Sequence, residues 1–106
     1  MTIITEEGGH VTQITTLETD PERQQELLGI LKERARFMAL QEGFVSISLH
    51  RGLDGRTIVN YVQWTTRDLL EKAHSAPEFR EKWPEVSELT NATAASFYDV
   101  VHAASK

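Results

Sequence analysis

The sequence predicts an α+β domain in which helices cover one face of a four-stranded antiparallel sheet, with elements in the order β-α-β-β-α-β. Three observations carry that expectation. Runs rich in β-branched and aromatic residues recur along the chain. One long stretch between the first two runs repeats its apolar residues at helical spacing. The turn Gly52-Leu53-Asp54-Gly55 joins the middle two runs, and Asp-Gly between β-rich segments is a strong hairpin signal.

Residues 1–9 (MTIITEEGG) read as a flexible leader, and 10–106 as a single domain. His10 to Glu18, threonine-rich and β-branched, is the first expected strand. Asp20-Pro21 suits a helix start, with aspartate as N-cap and proline in the first turn. That helix is expected to run to about Gln41, burying Leu28, Leu31, Ala35 and Met38 on one face, with Gly43 as its stop. Phe44–Arg51 and Arg56–Trp64 form the hairpin, and a short helix follows over Arg67–His74. Ser75 and Glu78 have capping-box spacing and open another helix, with Pro77 near its start, Phe79, Trp83 and Val86 on one face, and Pro84 straining or kinking it after its first turn. Ser96–His102 is the expected last strand. The order is the split-βαβ, ferredoxin-like arrangement.

Composition narrows the function. With no cysteine, the chain has no disulfide, iron–sulfur cluster or thiolate nucleophile. Eleven basic against 16 acidic side chains give a formal charge of −5, which argues against a nucleic-acid partner. No apolar run is long enough to cross a bilayer, and the first ten residues lack a signal-peptide pattern, so a cytoplasmic protein is expected. His10, His50, His74 and His102 are too scattered for a zinc pattern. The sheet face away from the helices is expected to carry Phe44 and Tyr61, and an exposed apolar face implies a partner, most economically a second copy in a homodimer.

Gly43-Phe44-Val45-Ser46, then Asp54-Gly55, then Val59-Asn60-Tyr61-Val62-Gln63-Trp64, resembles the antibiotic biosynthesis monooxygenase family, and Ser75-Ala76-Pro77-Glu78-Phe79 is similar to that family's helix opening. The resemblance implies a dimeric α+β barrel. It also implies an enzyme that oxidises a phenolic or anthrone-type aromatic polyketide to a quinone with molecular oxygen and no cofactor. The sequence itself has no dinucleotide fingerprint, P-loop or metal-ligand cluster.

Strand alternation puts Ile58, Asn60, Val62 and Trp64 on one face, a row that is apolar apart from one amide and one indole N–H. Asn60 is the less ordinary residue, because asparagine is depleted in strands and costly to bury unpaired. In the expected chemistry Asn60 donates to a developing oxyanion or peroxy group. Trp64 stacks on the fused rings and offers its N–H as a second donor. His50 is a third catalytic candidate, although simple hairpin pairing places it on the opposite face unless a bulge intervenes. Arg80 resembles a substrate-binding arginine of some family members, and Phe79 and Trp83 are expected as pocket wall. His74 is expected to serve the helix C-terminus. Where some members carry a tyrosine, this chain has Leu70. Four alternatives stay open: haem degradation, for which Trp83 stands where relatives place an axial histidine; a quinol monooxygenase; an isomerase of the same fold; and a non-catalytic small-molecule-binding or accessory protein.

Overall fold

The computed structural model describes residues 10–81 and 83–106, so the expected leader lies outside the described residues. Its elements run β1 (Val11–Glu18), α1 (Gln24–Met38), β2 (Phe44–Arg51), β3 (Thr57–Trp64), α2 (Arg67–His74), α3 (Pro77–Arg80), α4 (Trp83–Leu89) and β4 (Ala92–Tyr98). The strands form one antiparallel sheet in the order β2-β3-β1-β4, the ferredoxin-like arrangement.

Two apolar clusters join the helices to the sheet. Leu27, Leu28 and Leu31 of α1 meet Leu17, Ile58 and Val86 in one. Met38 meets Val62, Trp64, Leu70 and Ala73 in the other. Leu28, Leu31 and Met38 are buried as the helical period predicts. Gly43 takes φ +88, and a β-carbon there would come within 2.6 Å of the Leu69 side chain, so glycine serves both the turn and the close approach. At the hairpin, Asp54 Oδ1 accepts from the backbone N–H groups of Arg56 (2.8 Å) and Thr57 (3.2 Å). These bonds, that from Arg56 first, hold the Asp54 carboxyl below the usual carboxylate range.

Several local expectations are corrected. Asp20 does not cap α1: the chain makes a turn first, closed by Arg23 N donating to Asp20 O, and the helix begins at Gln24 without a side-chain cap. The Asp20 carboxylate accepts from Asn91 Nδ2 instead. Ser75 closes the helix behind it, donating to Glu71 O, so no capping box forms and Ala76 precedes α3. Thr66 is a side-chain cap, its Oγ1 accepting from Leu69 N at the start of α2. Pro84 does not kink a continuous helix. It is the second residue of α4, where its missing N–H costs nothing.

Phe44 lies on the helix-covered face, packed edge-on to Trp64 with ring centroids 5.8 Å apart, rather than on the outer face. The cause is a register shift between Phe44 and Ser46, a bulge that turns the strand's first residue over. The last strand starts four residues earlier than expected. Asn91 N donates to Glu18 O directly after α4, and pairing then runs from Glu18↔Ala92 to Thr12↔Tyr98. Three of its first four residues are alanines, which have low strand propensity, so propensity pointed past them to the aromatic end.

Candidate active site

Between the sheet and α1 lies a cavity of about 200 Å³. Its floor is the inward row of the sheet: Gln13 and Thr15 from β1, Asn60 and Val62 from β3. Leu31, Arg34 and Met38 of α1 form the roof, and His74, Phe79 and Trp83 the end wall. Thr93 and Ala95 of the edge strand also line it. Every residue of β4 is exposed, so the helix layer stops short of that edge and the cavity opens there.

The candidate residues separate in space. Asn60 faces the cavity between Thr15 and Leu49 of the neighbouring strands. Val62 lines the floor beside it, whereas Ile58, with no exposed surface, belongs to the core cluster. Trp64 is also fully buried and lies behind the end wall, its ring edge-on to His74 at 6.4 Å between centroids. Among the described residues, Asn60 Oδ1 and Trp64 Nε1 are the buried side-chain polar atoms without a hydrogen-bond partner. Leaving a buried polar atom without a partner costs about 1–3 kcal/mol.

His50 pairs with Val59 and faces away from Asn60, where it hydrogen-bonds Ser48 Oγ at 2.8 Å. The bulge sits beyond it, near Phe44, and does not reverse its direction. Arg80 is exposed and borders a second, outer groove of about 420 Å³ with Pro84. Phe79 and Trp83 line both spaces.

Two wall residues were not anticipated as site residues. Arg34 is only 8% exposed and donates from Nη1 to Phe79 O at 2.7 Å. Its guanidinium lies over the Phe79 ring, 3.8 Å from the centroid. No carboxylate pairs with it among the described residues. Burial pulls its pKa below the ordinary 12.5, which leaves it charged at neutral pH. His74 stacks on Phe79 with centroids 4.7 Å apart and planes within 3°. Burial, then the charge of Arg34, lowers its pKa from 6.5, so at neutral pH it is a neutral imidazole. Thus His74 belongs to the cavity wall rather than serving the end of its helix alone. No group of three metal-ligating side chains occurs among the described residues.

The model of the antibiotic biosynthesis monooxygenases matches residues 10–82, more than half of the chain. The chain belongs to that family. Solved structures with the same fold include SnoaB, a cofactor-independent oxygenase from Streptomyces nogalater, with TM-score 0.80 and 22% identity over 91% of this chain and 97% of that one. A protein from Nitrosomonas europaea, named for the same family, superposes with TM-score 0.82 at 10% identity, covering 93% of this chain and 97% of its own. Rv0793 from Mycobacterium tuberculosis gives 0.79 at 21% identity, over 91% and 99%. No curated protein matches the sequence. For a family member, the cavity under α1 is the place where substrate chemistry is to be sought.

Proposed function

We propose that the protein is a cofactor-independent monooxygenase that converts a phenolic, anthrone-type polycycle to a quinone with molecular oxygen, acting as a cytoplasmic homodimer. The observation that carries this reading is the Asn60 amide: a buried polar group with an unpartnered oxygen, facing an otherwise largely apolar cavity. SnoaB, which shares the fold, is described as a cofactor-independent oxygenase.

The chemistry requires little apparatus. Loss of one proton makes the aromatic substrate an electron-rich anion, which passes an electron to oxygen. The two radicals combine into a peroxide at the reacting carbon, and loss of water leaves the quinone. One anthrone and one O2 thus give one quinone and one water. Asn60 donates from Nδ2 to the oxyanion or the peroxy group, a type of contact worth about 10²–10³ in kcat, while its unpartnered Oδ1, an acceptor, takes the O–H of the substrate before ionisation. The apolar part of the lining, Leu31, Met38, Val62 and Phe79, excludes water from the anion and the radical pair.

Trp64 supplies the second orphan, an indole N–H buried behind the end wall. Its ring also backs His74. Val62, Phe79 and Trp83 contact the rings, Ile58 holds the floor from behind, and Arg80 meets the part of a long substrate that emerges into the outer groove. His50 on the outer face takes no part in this scheme. A second copy packed against the sheet would close the open edge at β4, which supports the dimer.

The test is oxygen consumption by metal-free protein with the anthrone dithranol. Uptake and quinone formation above the no-protein rate, lost in Asn60→Ala, are expected. A kcat that falls while KM holds would place the amide in the transition state, and a change in KM alone would make Asn60 a binding residue.

A further inference from the structure

We propose that Arg34 is a specificity-determining residue of the cavity, selecting a polycyclic ligand that carries a carboxylate and seating that group where the inner cavity borders the outer groove. The proposal names the substrate class of the oxygenase reading and rests on it for turnover, but the binding it describes is measured without any.

Arg34 stands in the apolar stripe of α1, three residues after Leu31 and four before Met38, and is 8% exposed. A cation withdrawn from water to that extent is costly unless an anion meets it. Its neighbours inside the protein are not anions. Its hydrogen bond among the described residues runs from Nη1 to Phe79 O, and no carboxylate pairs with it there. The guanidinium carbon lies 3.8 Å from the centre of the Phe79 ring and 5.4 Å from that of Trp83. His74 stacks on the same Phe79 ring, which stands between imidazole and guanidinium, so His74 takes no part in holding what Arg34 holds.

The spare donors face open space. Nε and Nη2 make no hydrogen bond among the described residues, yet the polar atoms sealed without a partner there are Asn60 Oδ1 and Trp64 Nε1, not these. Arg34, Phe79 and Trp83 each line both the inner cavity and the outer groove, which places the guanidinium at the boundary of the two. No aspartate or glutamate among the described residues lines either space, although the chain has 16. The counter-charge must therefore arrive with the ligand. A planar guanidinium matches the two oxygens of a carboxylate, which makes an acid the fitting anion. The rings then lie over Val62 and Asn60, and the acid points to Arg34. Arg80, exposed at the rim of the groove, keeps water as a partner and adds little to the selection.

The probes are 4,5-dihydroxyanthraquinone-2-carboxylic acid and its primary carboxamide, quinones with no anthrone carbon left to oxidise. Titrated calorimetrically into wild-type protein at neutral pH, the acid is expected to bind about tenfold or more tightly than the amide. Arg34→Met should bring the acid down to the affinity of the amide and leave the amide unchanged. Arg34→Lys should retain part of the preference, and Arg80→Gln most of it. Where Arg34→Met loosens the wall and weakens both probes, the wild-type protein decides. There the Arg34 Nε–H NMR signal, identified by its absence from Arg34→Lys, should move with the acid and stay in place with the amide. Equal affinities for the two probes, failure of the acid to bind, a preference that survives Arg34→Met, one lost instead in Arg80→Gln, or an Arg34 signal indifferent to the acid each overturns the proposal. If dithranol is oxidised but the acid is not preferred, the oxygenase reading stands and this proposal falls. If the acid is preferred through Arg34 while dithranol is not oxidised, the carboxylate site stands and the oxygenase reading falls.

Discussion

Replacing Asn60 by leucine should make the protein more stable and less active at once. The two side chains are close in size, and the position lies between Thr15 and Leu49 on adjacent strands, facing Val62's side of the cavity. In the wild type the amide oxygen is buried without a partner. Removing it recovers the desolvation cost of an unsatisfied polar group, about 1–3 kcal/mol. A further apolar gain is small, since leucine fills space that the amide already occupied. For a domain of about 100 residues, each kcal/mol moves Tm by about 4–8 °C, so a rise of that order per kcal/mol is expected in thermal unfolding followed by far-UV circular dichroism. Urea unfolding should show the same sign with an unchanged slope. Oxygen uptake should fall about 10²–10³-fold. Destabilisation by about 1 kcal/mol or more would refute the reasoning, because it would mean the amide is a satisfied structural group.

Other perturbations test other parts. Leu27→Ala, at a fully buried position of α1, should cost about 2–5 kcal/mol in urea unfolding. Gly43→Ala combines a φ of +88 with a 2.6 Å approach to Leu69 and should cost more than the roughly 1 kcal/mol of a simple backbone penalty. Thr66→Ala removes the cap of α2 and should cost about 1 kcal/mol. The folded-state pKa of His74 lies below 6.5, so the unfolded chain binds the proton more readily. Stability should therefore be complete above pH 6.5 and decline as pH falls from there to the folded pKa. His74→Phe should flatten that part of the pH–stability curve, and an unchanged slope in the variant would place the titration elsewhere.

Much of this was legible in the chain, and the failures have physical causes. The element order, the hairpin and the inward row Ile58–Asn60–Val62–Trp64 follow from periodicity and turn chemistry, which are local. Phe44 was misplaced because a one-residue bulge leaves no mark in composition, yet reverses a side chain's face. The last strand was displaced because Ala92–Ala95 are strand by pairing with β1 and not by propensity. Arg34 had a signal: a cation three residues after Leu31 and four before Met38 interrupts an apolar stripe. His74 had one as well, four residues beyond the buried Leu70. Neither is decisive until the fold brings α1 and α2 to the same wall. Trp64 shows the opposite limit, since sharing a face with Asn60 did not put it in the same cavity: four residues along a strand is about 13 Å.

The central claim is cofactor-independent oxygenation in the cavity under α1. Its most direct test is oxygen uptake by metal-free, flavin-free protein with dithranol, in the presence of a chelator, for the wild type and Asn60→Leu. One O2 consumed per quinone formed, above the no-protein rate in the wild type and near that rate in the better-folded variant, is the predicted result. Uptake no faster than the control, or uptake that the leucine variant retains in full, would contradict it.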